Sequence, residues 1–173
     1  MKTFSSFDDF ANFLAQRVIE QQFNAKVLDE IGQMIQKRAR EKLGHFQPAV
    51  GGFKAWASPL AERTQRERKE QGFTPNDPLL RSGAMRDDID YEVDVVVGRV
   101  VIGSTLDKAV WNELGTSSAP PRPFLGPAAY ESRHEIAALV TAAFLEDIAA
   151  ISGFVGTKGS LTRSWRGASR FGV

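Results

Sequence analysis

The chain has 173 residues, 42% of them hydrophobic and 25% charged, which suits one globular domain with length to spare for an arm or a long loop and excludes wholesale disorder. It contains no cysteine, so disulfide frameworks and thiolate chemistry are excluded. The net charge of +1 at pH 7 favours no class of partner, but its distribution is uneven: Lys158, Arg163, Arg166 and Arg170 follow Ser152 with no acidic residue among them, and single-sign blocks at a terminus often belong to interaction arms.

The opening "MKTFSSFDDF" carries acidic residues where a signal peptide needs an apolar run. No stretch approaches the ~20 apolar residues needed to span a bilayer. A soluble protein of a reducing compartment, with no membrane partner, is expected. Ser6 and Asp9 then mark a helix start, and Phe10, Phe13, Leu14 and Val18 recur at helical spacing. The stripe hesitates at Gln21–Asn24 and resumes with Val27, Leu28, Ile31, Met34 and Ile35, leaving two helices or one kinked helix open. Gly44 is a suitable stop.

Residues 45–78 read as a long irregular loop, and loops of that length tend to be functional or mobile. Within it, "SPLAERTQRERKEQG" predicts a short helix capped by Ser58 with Pro59 at its first position. Its run of charges is expected to be a solvated face, since Glu62, Glu67 and Glu70 dilute any phosphate-binding stripe. "DPLLRSGAMRDDI" predicts another short helix, capped by Asp77 and opened by Pro78. "IDYEVDVVVGRVVIGS" then switches to period two: Tyr91, Val93, Val95 and Val97 alternate with Glu92, Asp94 and Val96, and Val100–Ile102 follow Gly98 and Arg99. This is a β-hairpin. Ser104 or Thr105 is expected to cap "LDKAVWNELG", which ends at Gly115. Pro127 is expected to open a last helix with the stripe Ile136, Leu139, Val140, Phe144, Ile148 and Ile151. The fold class is therefore α+β: a small antiparallel sheet based on a hairpin, packed against long N- and C-terminal helices. One domain is expected over 1–151, with a flexible basic arm over 152–173.

Reactive groups are sparse. His45 and His134 stand alone, HExxH and G-x-S-x-G are missing, and "GFVGTKGS" fails the spacing of a phosphate loop. Asp87, Asp88, Asp90 and Asp94 form the one dense carboxylate cluster, a conceivable divalent-metal site of a nuclease. Strand alternation places Asp90 and Asp94 on the polar face with Glu92, which a half-exposed strand requires anyway. The expectation is no enzyme, no metal and no cofactor.

The stretch "WNELGTSSAPPRPFLGPAAY" sets a flexible segment beside a stiff one. Pro120, Pro121 and Pro123 fix φ and remove donors, so the segment loses little entropy on docking. Arg122 offers a rigid fork for carboxylates. Phe124 and Leu125 offer apolar area, either to a partner or to the domain's own core; the two roles are compatible.

The order "AWASPLAERT", "PLLRSGAMRDDI", a hairpin ending "VVIGST", "KAVWNELGT" and "PPRPFLGPA", spanning roughly Trp56 to Tyr130, resembles that of tailed-phage neck, tail-completion or head–tail joining proteins. That family has a Leu-x-x-Gly-x-Leu-like helix, a strand ending in Val-Gly-Ser, a Tyr-Ala-x-x-x-Glu-x-Gly-Thr segment and a Pro-x-Arg-Pro-Phe-Leu segment. This chain departs from it at Met85, Lys108 and Leu114. The resemblance implies a minor virion protein, assembled in the bacterial host cytoplasm and located at the neck or the head-proximal tail end. It implies an oligomeric ring, commonly a hexamer, between the head connector and the tail tube or tail terminator. Subunit or partner contacts are then expected at Trp111, Glu113, Gly115, Thr116, Pro121, Arg122, Pro123, Phe124 and Leu125. In this reading "TSSA" is a hinge on which the proline segment swings to a neighbour, as the heterologous contacts of a ring require. The arm, with Lys158, Arg163, Trp165, Arg166 and Arg170, reaches DNA in the lumen or an acidic neighbour. The competing class is a nucleic-acid-binding accessory protein that uses the same arm together with Phe171.

Overall fold

The computed structural model describes residues 5–20, 25–56 and 59–152. These fall into two compact units, one of residues 22–138 and one that joins the N-terminal residues to those from Leu139 onward. The basic arm, including Lys158, Arg163, Trp165, Arg166 and Arg170, lies outside the described residues, as do the Gln21–Asn24 junction and Ser58.

Helix α1 (Phe7–Glu20) starts as its sequence requires: the Asp9 amide donates to Ser6 Oγ at 3.0 Å, satisfying one of the free first-turn donors. The Asp9 carboxylate accepts from Ser5 Oγ, and this bond first, then those from Ser6, hold its pKa below the ordinary value.

Helix α2 (Ala25–Lys42) is the spine of the larger unit. Leu28, Ile31, Ile35 and Ala39, spaced three and four apart, form its buried stripe, and Leu43 extends it. Gly44 stops the helix with φ 96°, and its amide donates to Pro78 O at 2.8 Å. Arg38 reaches Ser132 Oγ at 2.7 Å, and the buried Lys42 ammonium bridges both oxygens of Glu131 at 2.8 Å. These bonds fasten α2 to the start of helix α6 (Leu125–Ser152).

Strands β1 (Asp90–Asp94) and β2 (Arg99–Gly103) form the antiparallel hairpin, with Tyr91 opposite Ile102 and Val93 opposite Val100. Both strands lie on α2. At Gly32 the helix surface is bare enough for the Tyr91 ring to lie against it; a Cβ there would come within 2.2 Å of the ring. The Tyr91 hydroxyl donates to Asp29 at 2.6 Å across the same contact. The strands are shorter than the alternation predicts. Asp94 Oδ1 accepts from the amides of Val96 and Val97 at 3.1 and 3.3 Å, turning the chain before the valine run can continue the strand. Val95, Val96 and Val97 therefore sit exposed at the tip, not on the packed face.

The segment between α2 and the hairpin is built on its core contacts. Trp56, Leu60 and Pro78 are buried, and the Trp56 amide donates to Gln47 O at 2.9 Å. Helix α3 (Glu62–Glu70) begins three residues later than Pro59 suggests, with Ala61 as its unassisted N-cap. Leu60 is drawn into the core instead, where its amide donates to Asn76 Oδ1 at 2.9 Å. Most of the α3 charges face solvent as expected, but Arg68 is buried and donates to Asp77 O at 2.5 Å. Pro78 likewise opens a turn and no helix. Helix α4 (Ala84–Asp87) is a single turn that follows Gly83, and Leu79 holds φ 60°. The fold class is thus α+β, with a two-stranded antiparallel sheet among helices. Its sheet packs on α2, and α2 is in turn bonded to α6.

Candidate functional site

Helix α5 (Asp107–Leu114) and the proline segment after it form one rigid assembly in the larger unit. The helix is not capped by Ser104 or Thr105. Both hydroxyls donate to Asp88, Ser104 Oγ at 2.6 Å and Thr105 Oγ1 at 3.0 Å, and Ser104 Oγ accepts the Leu106 amide at 3.2 Å, just ahead of the helix. Leu106 occupies the cap position without a side-chain bond. Gly115 ends the helix with φ 79°, and a Cβ at that position would lie 2.9 Å from Pro121 N, so both its conformation and its neighbour require glycine.

Glu113 is the centre of the assembly. Its carboxylate accepts the amides of Phe124 at 2.7 Å, Leu125 at 3.0 Å and Gly126 at 2.8 Å. Three free donors at the α6 N-terminus are thereby satisfied by a side chain from another helix, with its negative charge at the positive end of the helix dipole. This explains why α6 starts at Leu125, two residues before Pro127. Two further bonds fix the segment: Arg122 N to Asn112 O at 2.7 Å, and Trp56 Nε1 to Pro123 O at 3.1 Å.

The hinge expected at "TSSA" is a closed turn. Thr116 N donates to Ala119 O at 2.9 Å, and Ala119 N donates back to Thr116 Oγ1 at 3.0 Å. Phe124 is wholly buried and Pro123 is buried beside it. Phe124 therefore fills this domain's own core, and both residues lie beneath the surface where a neighbour would make contact. A swing of the proline segment would break the Glu113 bonds and empty the Phe124 site together.

What the assembly presents outward is α5 itself, wound with its apolar side out. Ala109 is buried and Asn112 and Glu113 turn inward, whereas Val110, Trp111 and Leu114 are 53%, 58% and 74% exposed. Thr116 and Pro121 border this face, with Pro121 exposed and Leu125 and Arg122 half-buried. Of the expected interface residues, Trp111, Thr116 and Pro121 are at the surface, Arg122 and Leu125 are half-buried, and Glu113, Gly115, Pro123 and Phe124 are the framework that holds them. Val110 and Leu114 were missed. Their spacing to Trp111 is visible in the sequence, but an apolar helical stripe is ordinarily assigned to the core.

The acidic cluster separates into structural roles. Asp88 ties the end of α4 to the end of β2. Asp90 accepts from Gln36 Nε2 at 3.1 Å, Asp94 turns the hairpin, and Asp87 pairs with the adjacent Arg86. The Ser104 hydrogen bond is the main cause that holds the Asp88 carboxyl below its ordinary pKa. Among the described residues, no group of three or more His, Cys, Asp or Glu is placed to hold a metal ion, and no helix is long and apolar enough to cross a membrane.

The chain matches no family model, no curated protein and no solved structure.

Proposed function

We propose that this protein is a structural morphogenesis protein of a tailed phage, a ring subunit at the neck that joins head connector to tail or completes the tail end. The observation that carries the reading is the inverted α5. An apolar face of Val110, Trp111 and Leu114, fixed from behind by the Glu113 bonds, suits docking against a partner surface better than exposure to water. The motif order from Trp56 to Tyr130 supports it, because three of the quoted segments meet in one place: Trp56 bonds the proline segment, and Glu113 caps the helix that follows. The contact in this reading is with a neighbouring subunit or an axial partner, made by a preformed surface and not by a swinging loop, which lowers the entropy lost on assembly. A six-fold ring, virion location and contact of the basic arm with DNA belong to the same proposal.

The test is electron microscopy of lysates from the phage or prophage that carries this gene, with and without its deletion. Filled heads accumulating apart from tails support a joining role, and tails of abnormal length support a terminating one. Intact infectious particles from the deletion strain would overturn the reading.

A further inference from the structure

A cleft of about 490 Å³ opens between α3, the Leu79–Gly83 turn, α5 and the Ser118–Arg122 segment. Four cations line it, Arg68, Arg81, Lys108 and Arg122, and no carboxylate does. Leu60, Leu79, Met85 and Pro120 supply apolar wall between them. Like charges gathered in a concave, partly apolar site repel one another, and an ordinary surface relieves this with interleaved Asp and Glu. Here the relief is partial. Arg81 pairs with Glu67 at 3.5 Å, and Arg68 donates to the Asp77 carbonyl, with the Asp77 and Glu67 charges offsetting only part of its burial. Burial, then the charge of Arg81, pushes the Arg68 pKa down. Arg122 is in a starker position: burial lowers its pKa with no carboxylate to offset it, and its Nε is buried without a hydrogen-bond partner. A half-buried guanidinium without a carboxylate beside it is costly, and an oxyanion bound in the cleft would offset its charge.

We propose that this cleft is a binding site for a carboxylate-bearing, aliphatic segment of a partner protein. The guanidinium groups recognise carboxylate geometry, and the Leu60, Leu79, Met85 and Pro120 wall receives the aliphatic side chain next to it. Nucleic acid fits less well. Its phosphates are tracked by basic stripes along an open surface, and its sugars and phosphates have no use for an aliphatic wall. The site stands on the cleft alone, independent of the assembly the chain joins.

The experiment is fluorescence anisotropy of the full chain with a labelled peptide of alternating glutamate and leucine. A lysine–leucine peptide and a labelled short single-stranded DNA serve as comparators. Saturable binding of the acidic peptide is expected, weakened at least tenfold by Arg122→Gln and by Arg81→Gln and unchanged by Arg99→Gln on the hairpin. The Arg81 side chain is about half exposed, so that variant reports even if Arg122→Gln lowers stability. No saturable binding of the acidic peptide would overturn the proposal. Equal weakening by Arg99→Gln would do so too, as would DNA binding tighter than peptide binding with the same dependence on Arg81 and Arg122.

Discussion

The inward face of α5 carries Ala109, Asn112 and Glu113, whereas its outward face carries Val110, Trp111 and Leu114, the reverse of the arrangement expected for a surface helix. The inward residues make their contribution by hydrogen bonding: Asn112 receives the Arg122 amide on its carbonyl, and Glu113 receives three amides on its carboxylate. The outward residues keep more than half of their surface exposed. A short helix can dispense with an apolar inner stripe because the neighbouring Phe124 supplies the buried volume in its place. Stability and partner recognition are thereby divided between two sides of one helix, and substitutions on the two sides should separate them.

The largest effect is expected at Phe124, which is wholly buried at the junction of the proline segment and α6. Phe124→Ala should cost about 3–5 kcal/mol in denaturant unfolding, by lost burial and an unfilled cavity. A loss below about 1 kcal/mol, the level of an ordinary surface change, would mean that the segment is not seated as described. Glu113→Ala should cost about 2 kcal/mol, since it removes a charged cap of three amides. Amide exchange at Phe124, Leu125 and Gly126 should accelerate in the same variant; unchanged protection there would break the comparison on its inner side.

A smaller effect is expected at Asp88, whose pKa is lowered chiefly by the Ser104 hydroxyl. A carboxylate with a depressed folded pKa stabilises the fold above its unfolded pKa and loses that contribution as pH falls through the folded value. The melting temperature of the natural chain should therefore decline more steeply below about pH 4 than that of Asp88→Asn. Parallel profiles would remove Asp88 from the link between α4 and β2. The smallest effect on stability belongs to the outer face, where Trp111→Ser and Leu114→Ser should each stay within about 0.5 kcal/mol.

The hairpin was legible because period two is a strong signal, and α2 because its stripe is regular and Gly44 stops it. Element ends were less legible, each for a local reason. Leu60 is pulled into the core and delays α3; Ser104, held by Asp88, accepts the Leu106 amide ahead of α5; Asp94 turns the chain before Val95. The compatible roles left open for Phe124 resolve toward the core. The part played by Glu113 was hidden, since its partners lie 11 to 13 residues onward across a proline turn. The cationic cleft could not be read at all, because Arg68, Arg81, Lys108 and Arg122 come from four separate segments that meet only in the fold.

The most direct measurement is electron microscopy of particles assembled with the Trp111→Ser/Leu114→Ser double variant, after its unfolding curve has been matched to that of the natural chain. The account predicts a fully folded protein and heads that accumulate apart from tails or tails of abnormal length. Normal, infectious particles would contradict the claim that the outward face of α5 is a docking surface.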